Sequence, residues 1–128
     1  MRRILITLTV AAFSFGTASA VFASVETIKG QLVDQACYKT DKANTGEKHK
    51  MGGKDMDNCA TACAKMGMPA ALVTSDGKVY QISGDLASNK NEKLVGHMTH
   101  TVEITGEVTK ASDGTMQIAA TGLKMISK

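Results

Sequence analysis

The sequence contains few aromatic residues and almost no arginine. It has no Trp, two Tyr and three Phe. Every Phe and both Arg lie before residue 23, and from there on thirteen lysines face twelve acidic residues, so that part of the chain is nearly neutral. Nucleic-acid-binding proteins need a basic surface and usually use stacking aromatics or arginine forks. The composition therefore excludes that class of protein.

Familiar catalytic motifs are also missing. The sequence has no Gly-x-Ser-x-Gly and no His-Glu-x-x-His, and it has neither the Cys-x-x-Cys of thiol oxidoreductases nor the Cys-x-x-Cys-His of haem attachment. It shows no convincing pair of catalytic carboxylates either. We therefore expect a protein that is not an enzyme.

The only long apolar run stands at the amino terminus. Arg2 and Arg3 precede ILITLTVAAFSFG, and small residues follow it, with possible cleavage after Ala20 or Ala23. This pattern is typical of a secretory signal peptide, and no cysteine follows either site to take a lipid anchor. We expect a signal peptide over residues 1–23 and one domain over 24–128 without a membrane span. The expected location is periplasmic or secreted.

Alternating apolar residues predict a mainly β domain. We expect strands over 24–38, on both sides of the turn at Asp76-Gly77, over 101–109 and from 116 onwards. Gly30 and Gly106 stand inside two of these strands, and glycine in a strand usually marks a bend or a bulge.

Two short helices complete the prediction. One is expected to begin near Asn58 and to end at Gly67, and the other lies within 84–96, where Asn89 and Glu92 have the spacing of a capping box. The order of elements predicts a small, five-stranded, partly open barrel of the OB-fold type, with a helix inserted between its first and second strands.

The residues whose side chains could bind a metal ion or form a disulfide are concentrated in the stretch 37–69. It contains all three cysteines, four of the eight methionines and His49. A lysine-rich loop is expected over 39–57. On the helix that follows, Cys59, Ala62, Cys63 and Met66 have the spacing of one face.

A soft metal ion is the first interpretation of this stretch. Thiolates and thioethers favour copper(I). The expected ligands are Cys37, His49, Cys59, Cys63 and Met66, and Met51, Met56 and Met68 supply further thioethers nearby. Zinc is the less favoured metal, because the spacings match no common zinc module.

Other interpretations remain open. Cys37 can form a structural disulfide with Cys59 or Cys63, which would make the protein a structural or interaction module without metal. The cysteines and Met66 can also simply pack against the barrel. His97 and His100 face one side if they end a helix and opposite sides if they begin a strand.

Two resemblances accompany these motifs. The Cys-x-x-x-Cys of Cys59 and Cys63 is similar to that of Sco-type copper proteins, without their surrounding fold. The segments GQLVDQACY, GEKHK, CATACAKMGMP and HTVEITGEV together resemble a group of small uncharacterised exported bacterial proteins. That resemblance covers nearly all of residues 24–128 and implies that Cys37, His49, Cys59 and Cys63 belong to one site.

Overall fold

The structure is a computed structural model that describes residues 23–51 and 53–128, and of residues 49–51 only the backbone. Residues 1–22, and with them nearly all of the expected signal peptide, lie outside the described part. None of the helices in the described ranges is long and apolar enough to cross a membrane. In chain order the elements are β1 (Ser24–Asp34), α1 (Gln35–Thr40), β2 (Lys48–Met51), β3 (Lys54–Asp57), α2 (Cys59–Lys65), β4 (Ala70–Val73), β5 (Val79–Ser83), a 3₁₀ helix (Asp85–Ala87), α3 (Ser88–Val95), β6 (Thr101–Lys110) and β7 (Met116–Ser127).

Five strands close into a barrel in the order β1-β4-β5-β7-β6, and β6 returns to pair with β1. Neighbouring strands are antiparallel except β5 and β7, which are parallel. This confirms the mainly β fold and the five-stranded barrel of the OB-fold type, although the barrel is closed rather than partly open. The connection from β1 to β4, the second strand of the barrel, contains α1, a separate β2–β3 hairpin and α2.

Two glycines let the strands bend around this small barrel. Gly30 precedes the point where β1 changes partner from β6 to β4, and a Cβ there would lie 2.5 Å from the carbonyl oxygen of Val73. Gly106 follows a register shift in β6 that begins at Thr105. A Cβ at Gly106 would lie 2.8 Å from the carbonyl carbon of Ala119. At both glycines the backbones approach too closely for any side chain, and the register shift at Gly106 confirms the predicted irregularity there.

The core lies inside the barrel and extends under the helices. Leu32, Leu72, Ile104 and Ile118 are fully buried strand residues, and α3 adds Leu94. Each side chain of this size stabilises the fold by roughly 2 kcal/mol when it is buried. Ala60 and Ala64 of α2 also belong to the core. The helix that contains Cys59 and Cys63 is therefore packed against the barrel.

The structure corrects three local predictions. The first strand ends at Asp34, and residues 35–40 form α1 instead of continuing it. The expected loop over 39–57 contains the β2–β3 hairpin. The capping box does not form, because Asn89, Lys90 and Asn91 have positive φ angles of 50°, 58° and 58° and break the helical geometry.

Candidate metal centre

Asp34 places Cys37. Its side chain is the N-cap of α1, and its Oδ1 accepts a hydrogen bond of 2.8 Å from the backbone N–H of Cys37. An N-cap of this kind satisfies a backbone donor at the start of a helix. Cys37 therefore lies in the first turn of a short helix, not at the end of a strand. Asp34 is 3% exposed, so this capping carboxylate is buried.

The N-terminal end of α2 is tied to the loop before the hairpin. Asn58, with φ 56° and ψ 36°, donates its backbone N–H to the carbonyl of Glu47 at 2.9 Å. Ala60 donates to the carbonyl of Gly46 at 3.2 Å. Gly46 has a φ of +84° and lies so close to Ala60 that a side chain would not fit there. These contacts fix the first turn of α2, which contains Cys59.

The C-terminal end of α2 is held by a residue distant in sequence. Gly67, with φ +85°, ends the helix as predicted. The side-chain N–H groups of Asn91, a residue 3% exposed, donate to the carbonyl of Ala64 at 3.1 Å and to that of Met68 at 2.8 Å. Asn91 thus ties the last turn of α2 to Met68 beyond it, and the carbonyl of Ala64 accepts a second hydrogen bond, from the backbone N–H of Gly67 at 2.9 Å. The sequence analysis missed this role, because the only local signal was an asparagine two residues after the one assigned to the capping box.

The three cysteines meet between α1 and α2. The Sγ atoms of Cys37, Cys59 and Cys63 all lie within 4.8 Å of one another. Cys59 is buried, and Cys37 and Cys63 are partly buried. The buried residues of α2 are Cys59, Ala60 and Ala64, whereas Ala62 is exposed. The helix therefore packs through a face turned slightly from the predicted one, and Cys63 stays at its edge.

Burial and negative charge keep the thiols of Cys37 and Cys63 protonated. Desolvation, followed by a hydrogen bond and charge repulsion from Asp34, raises the pKa of Cys37 from its ordinary value of 9.0 to about 12. The pKa of Cys63 is also raised, first by desolvation and then by the charge of Asp34. At neutral pH Cys37 and Cys63 are therefore neutral thiols, and a bound metal ion has to displace their protons.

The other two expected ligands are His49 and Met66. His49 lies in β2 opposite Met56, and its side chain is outside the described part of the structure, so its role stays a prediction. Met66 is the C-cap of α2 and is 68% exposed. Its role as a ligand also stays a prediction.

His97 and His100 lie in the turn between α3 and β6. They are therefore neither at the end of a helix nor at the start of a strand, the two positions considered from the sequence. Their ring centroids are 6.4 Å apart and the rings meet edge to face. The Nδ1 atom of each ring is buried and has no hydrogen-bond partner among the described residues. They do not belong to the cysteine cluster.

The expected alternative of a disulfide is not formed. Cys37, Cys59 and Cys63 are all free thiols in the structure. Three sulfur atoms at this separation can hold one ion, since a trigonal site with metal–sulfur bonds of about 2.3 Å places its sulfurs about 4 Å apart. A contraction of less than about 1 Å would bring the three thiols to that geometry.

No protein-family model, curated protein or solved structure matches the chain. The likeness to a group of small exported proteins therefore remains a resemblance of motifs. The structure does show a closed five-stranded barrel. It also brings together the three cysteines that the resemblance assigned to one site.

Proposed function

We propose that this protein is an exported, non-enzymatic binding protein for a soft metal ion, and that the ion is copper(I). The observation behind the proposal is the cluster of three Sγ atoms within 4.8 Å of one another. Two separate helices bring the cysteines together: Asp34 caps α1, which contains Cys37, and Asn91 holds the end of α2, which contains Cys59 and Cys63.

Copper(I) fits this donor set better than zinc does. Three thiolates form a complete coordination shell for copper(I), which prefers soft sulfur ligands. Zinc is almost always four-coordinate in structural sites and would need a fourth ligand in addition to Cys37, Cys59 and Cys63. The sequence suggests His49 as that fourth ligand, so zinc is the second metal to test.

A copper(I) competition experiment tests the proposal. The protein, purified without metal from an oxidising compartment, is first titrated for free thiols and then mixed with copper(I) bound to a chromophoric chelator. We expect three titratable thiols and one copper(I) taken up per chain. Cys37→Ser, Cys59→Ser and Cys63→Ser should each weaken binding more than about a hundredfold, since even loss of an outer-shell partner costs metal sites 10–100-fold.

Ala62→Ser is the matched control, because Ala62 is exposed on the same helix and its replacement leaves the thiols untouched. Circular dichroism of each variant separates loss of a ligand from loss of the fold. A single free thiol, together with no competition for micromolar copper(I), would refute the metal site. That result would favour a structural module in which Cys37 is bonded to Cys59 or Cys63. A parallel titration with zinc decides between the two metals.

A further inference from the structure

Two exposed methionines lie at the end of the helix that contains the cysteines. Met66 is 68% exposed and Met68 is 40% exposed, which is unusual for side chains that normally fill cores. Their exposure places two thioether groups on the surface, three and five residues along the chain from the partly buried Cys63.

The backbone fixes both residues next to Cys63. The N–H groups of Met66 and Met68 both donate to the carbonyl of Cys63, each at 3.1 Å. Gly67 turns the chain between them with its φ of +85°. The carbonyl of Met68 is held in addition by Asn91 at 2.8 Å. The two methionines thus belong to a hydrogen-bonded turn at the helix end, and their side chains are exposed.

We propose that Met66 and Met68 form a capture site on the surface, which takes up copper(I) and passes it to Cys37, Cys59 and Cys63. The inference rests on the proposed function and adds the route by which the ion enters. Thioethers are soft donors that bind copper(I). Because Met66 and Met68 are exposed whereas the three cysteines are buried or partly buried, an arriving ion meets the thioethers before it meets the thiols.

The transfer itself is a ligand exchange without oxidation or reduction. Each copper–thioether bond breaks as a copper–thiolate bond forms, and the thiol proton leaves to solvent. The thioethers are released unchanged and can accept another ion. In this scheme Met66 is a transient ligand, not a resident one, and removing it changes the rate of loading much more than the final affinity.

Stopped-flow loading of the metal-free protein tests the inference. Copper(I) is supplied as its complex with a chromophoric chelator, and both the loading rate and the equilibrium affinity are measured. The double variant Met66→Leu/Met68→Leu keeps similar volume and removes both sulfurs. We expect it to load at least tenfold more slowly, with an affinity within threefold of the wild type. Met125→Leu is the matched control, since Met125 on β7 is 43% exposed, and it should load at the wild-type rate.

Equal loading rates in the wild type and the double variant would overturn the inference while leaving the cysteine site intact. A hundredfold loss of affinity in the double variant would also overturn it, because the methionines would then be resident ligands. The wild-type endpoint reports separately on the proposed function: if the wild type takes up no copper(I), both proposals fail.

Discussion

The stability of the metal-free protein should fall in alkaline solution because of Cys37. Its pKa is raised from an ordinary 9.0 to about 12, through desolvation first and Asp34 second. In the unfolded chain the same thiol is exposed and titrates near its ordinary value. Between these two values the unfolded state loses the proton and the folded state keeps it. Stability from this group is therefore fully present below about pH 9 and is lost as the pH rises towards 12.

The size of the effect follows from the two pKa values. Each pKa unit corresponds to about 1.4 kcal/mol, so the loss is about 1 kcal/mol at pH 10 and about 3 kcal/mol at pH 11. This is a large share of the 5–15 kcal/mol by which domains of this kind are usually stable. Cys63 adds to the loss in the same direction, since its pKa is raised too.

Urea unfolding at a series of pH values, in the presence of a reducing agent, measures this loss. Lysines and tyrosines titrate in the same range, so the decisive quantity is the difference between the wild type and Cys37→Ser, whose hydroxyl stays neutral. We expect the wild type to lose about 3 kcal/mol more than the variant between pH 8 and pH 11. If the unfolding free energies of the two proteins fall in parallel with pH, Cys37 is not a partly buried thiol that keeps its proton beside Asp34.

Three further predictions concern the residues that shape the barrel and the site. Asp34→Asn keeps the helix cap and removes the charge, so alkylation of Cys37 at neutral pH should become about tenfold faster, equal to one pKa unit; an unchanged rate would show that desolvation alone raises the pKa. Asn91→Ala should cost about 1–3 kcal/mol more in urea unfolding than Asn89→Ala, since both positions have positive φ but only Asn91 donates to buried carbonyls; equal costs would leave only backbone strain. Gly106→Ala should cost at least about 2 kcal/mol of unfolding free energy, since its Cβ would collide with the backbone of Ala119. Gly96→Ala, where nothing lies within 4 Å, should be nearly neutral, and similar losses in both glycine variants would contradict the close approach.

The sequence alone determined most of the barrel. The alternation of apolar residues in β6 and β7 is a short-range signal, and so are the Asp-Gly turns, whose Gly77 and Gly114 have φ angles of 83° and 86°. Cys59 and Cys63 were placed on one helix for the same reason, since residues four apart are neighbours on any helix. Such local patterns do not depend on how the rest of the chain folds.

Which side chains come into contact depends on the tertiary structure. Cys37 joins Cys59 and Cys63 only because Asp34 ends β1 and starts a helix that turns towards α2. Asn91 reaches Ala64 across 27 residues of sequence, a contact that exists only once the barrel has closed. The burial of Asp34, and with it the raised pKa of Cys37, also depends on packing between segments far apart in the chain. No periodic pattern in the sequence predicts these long-range contacts. The sequence therefore identifies the cysteines as candidate ligands, and the fold determines that all three lie close together.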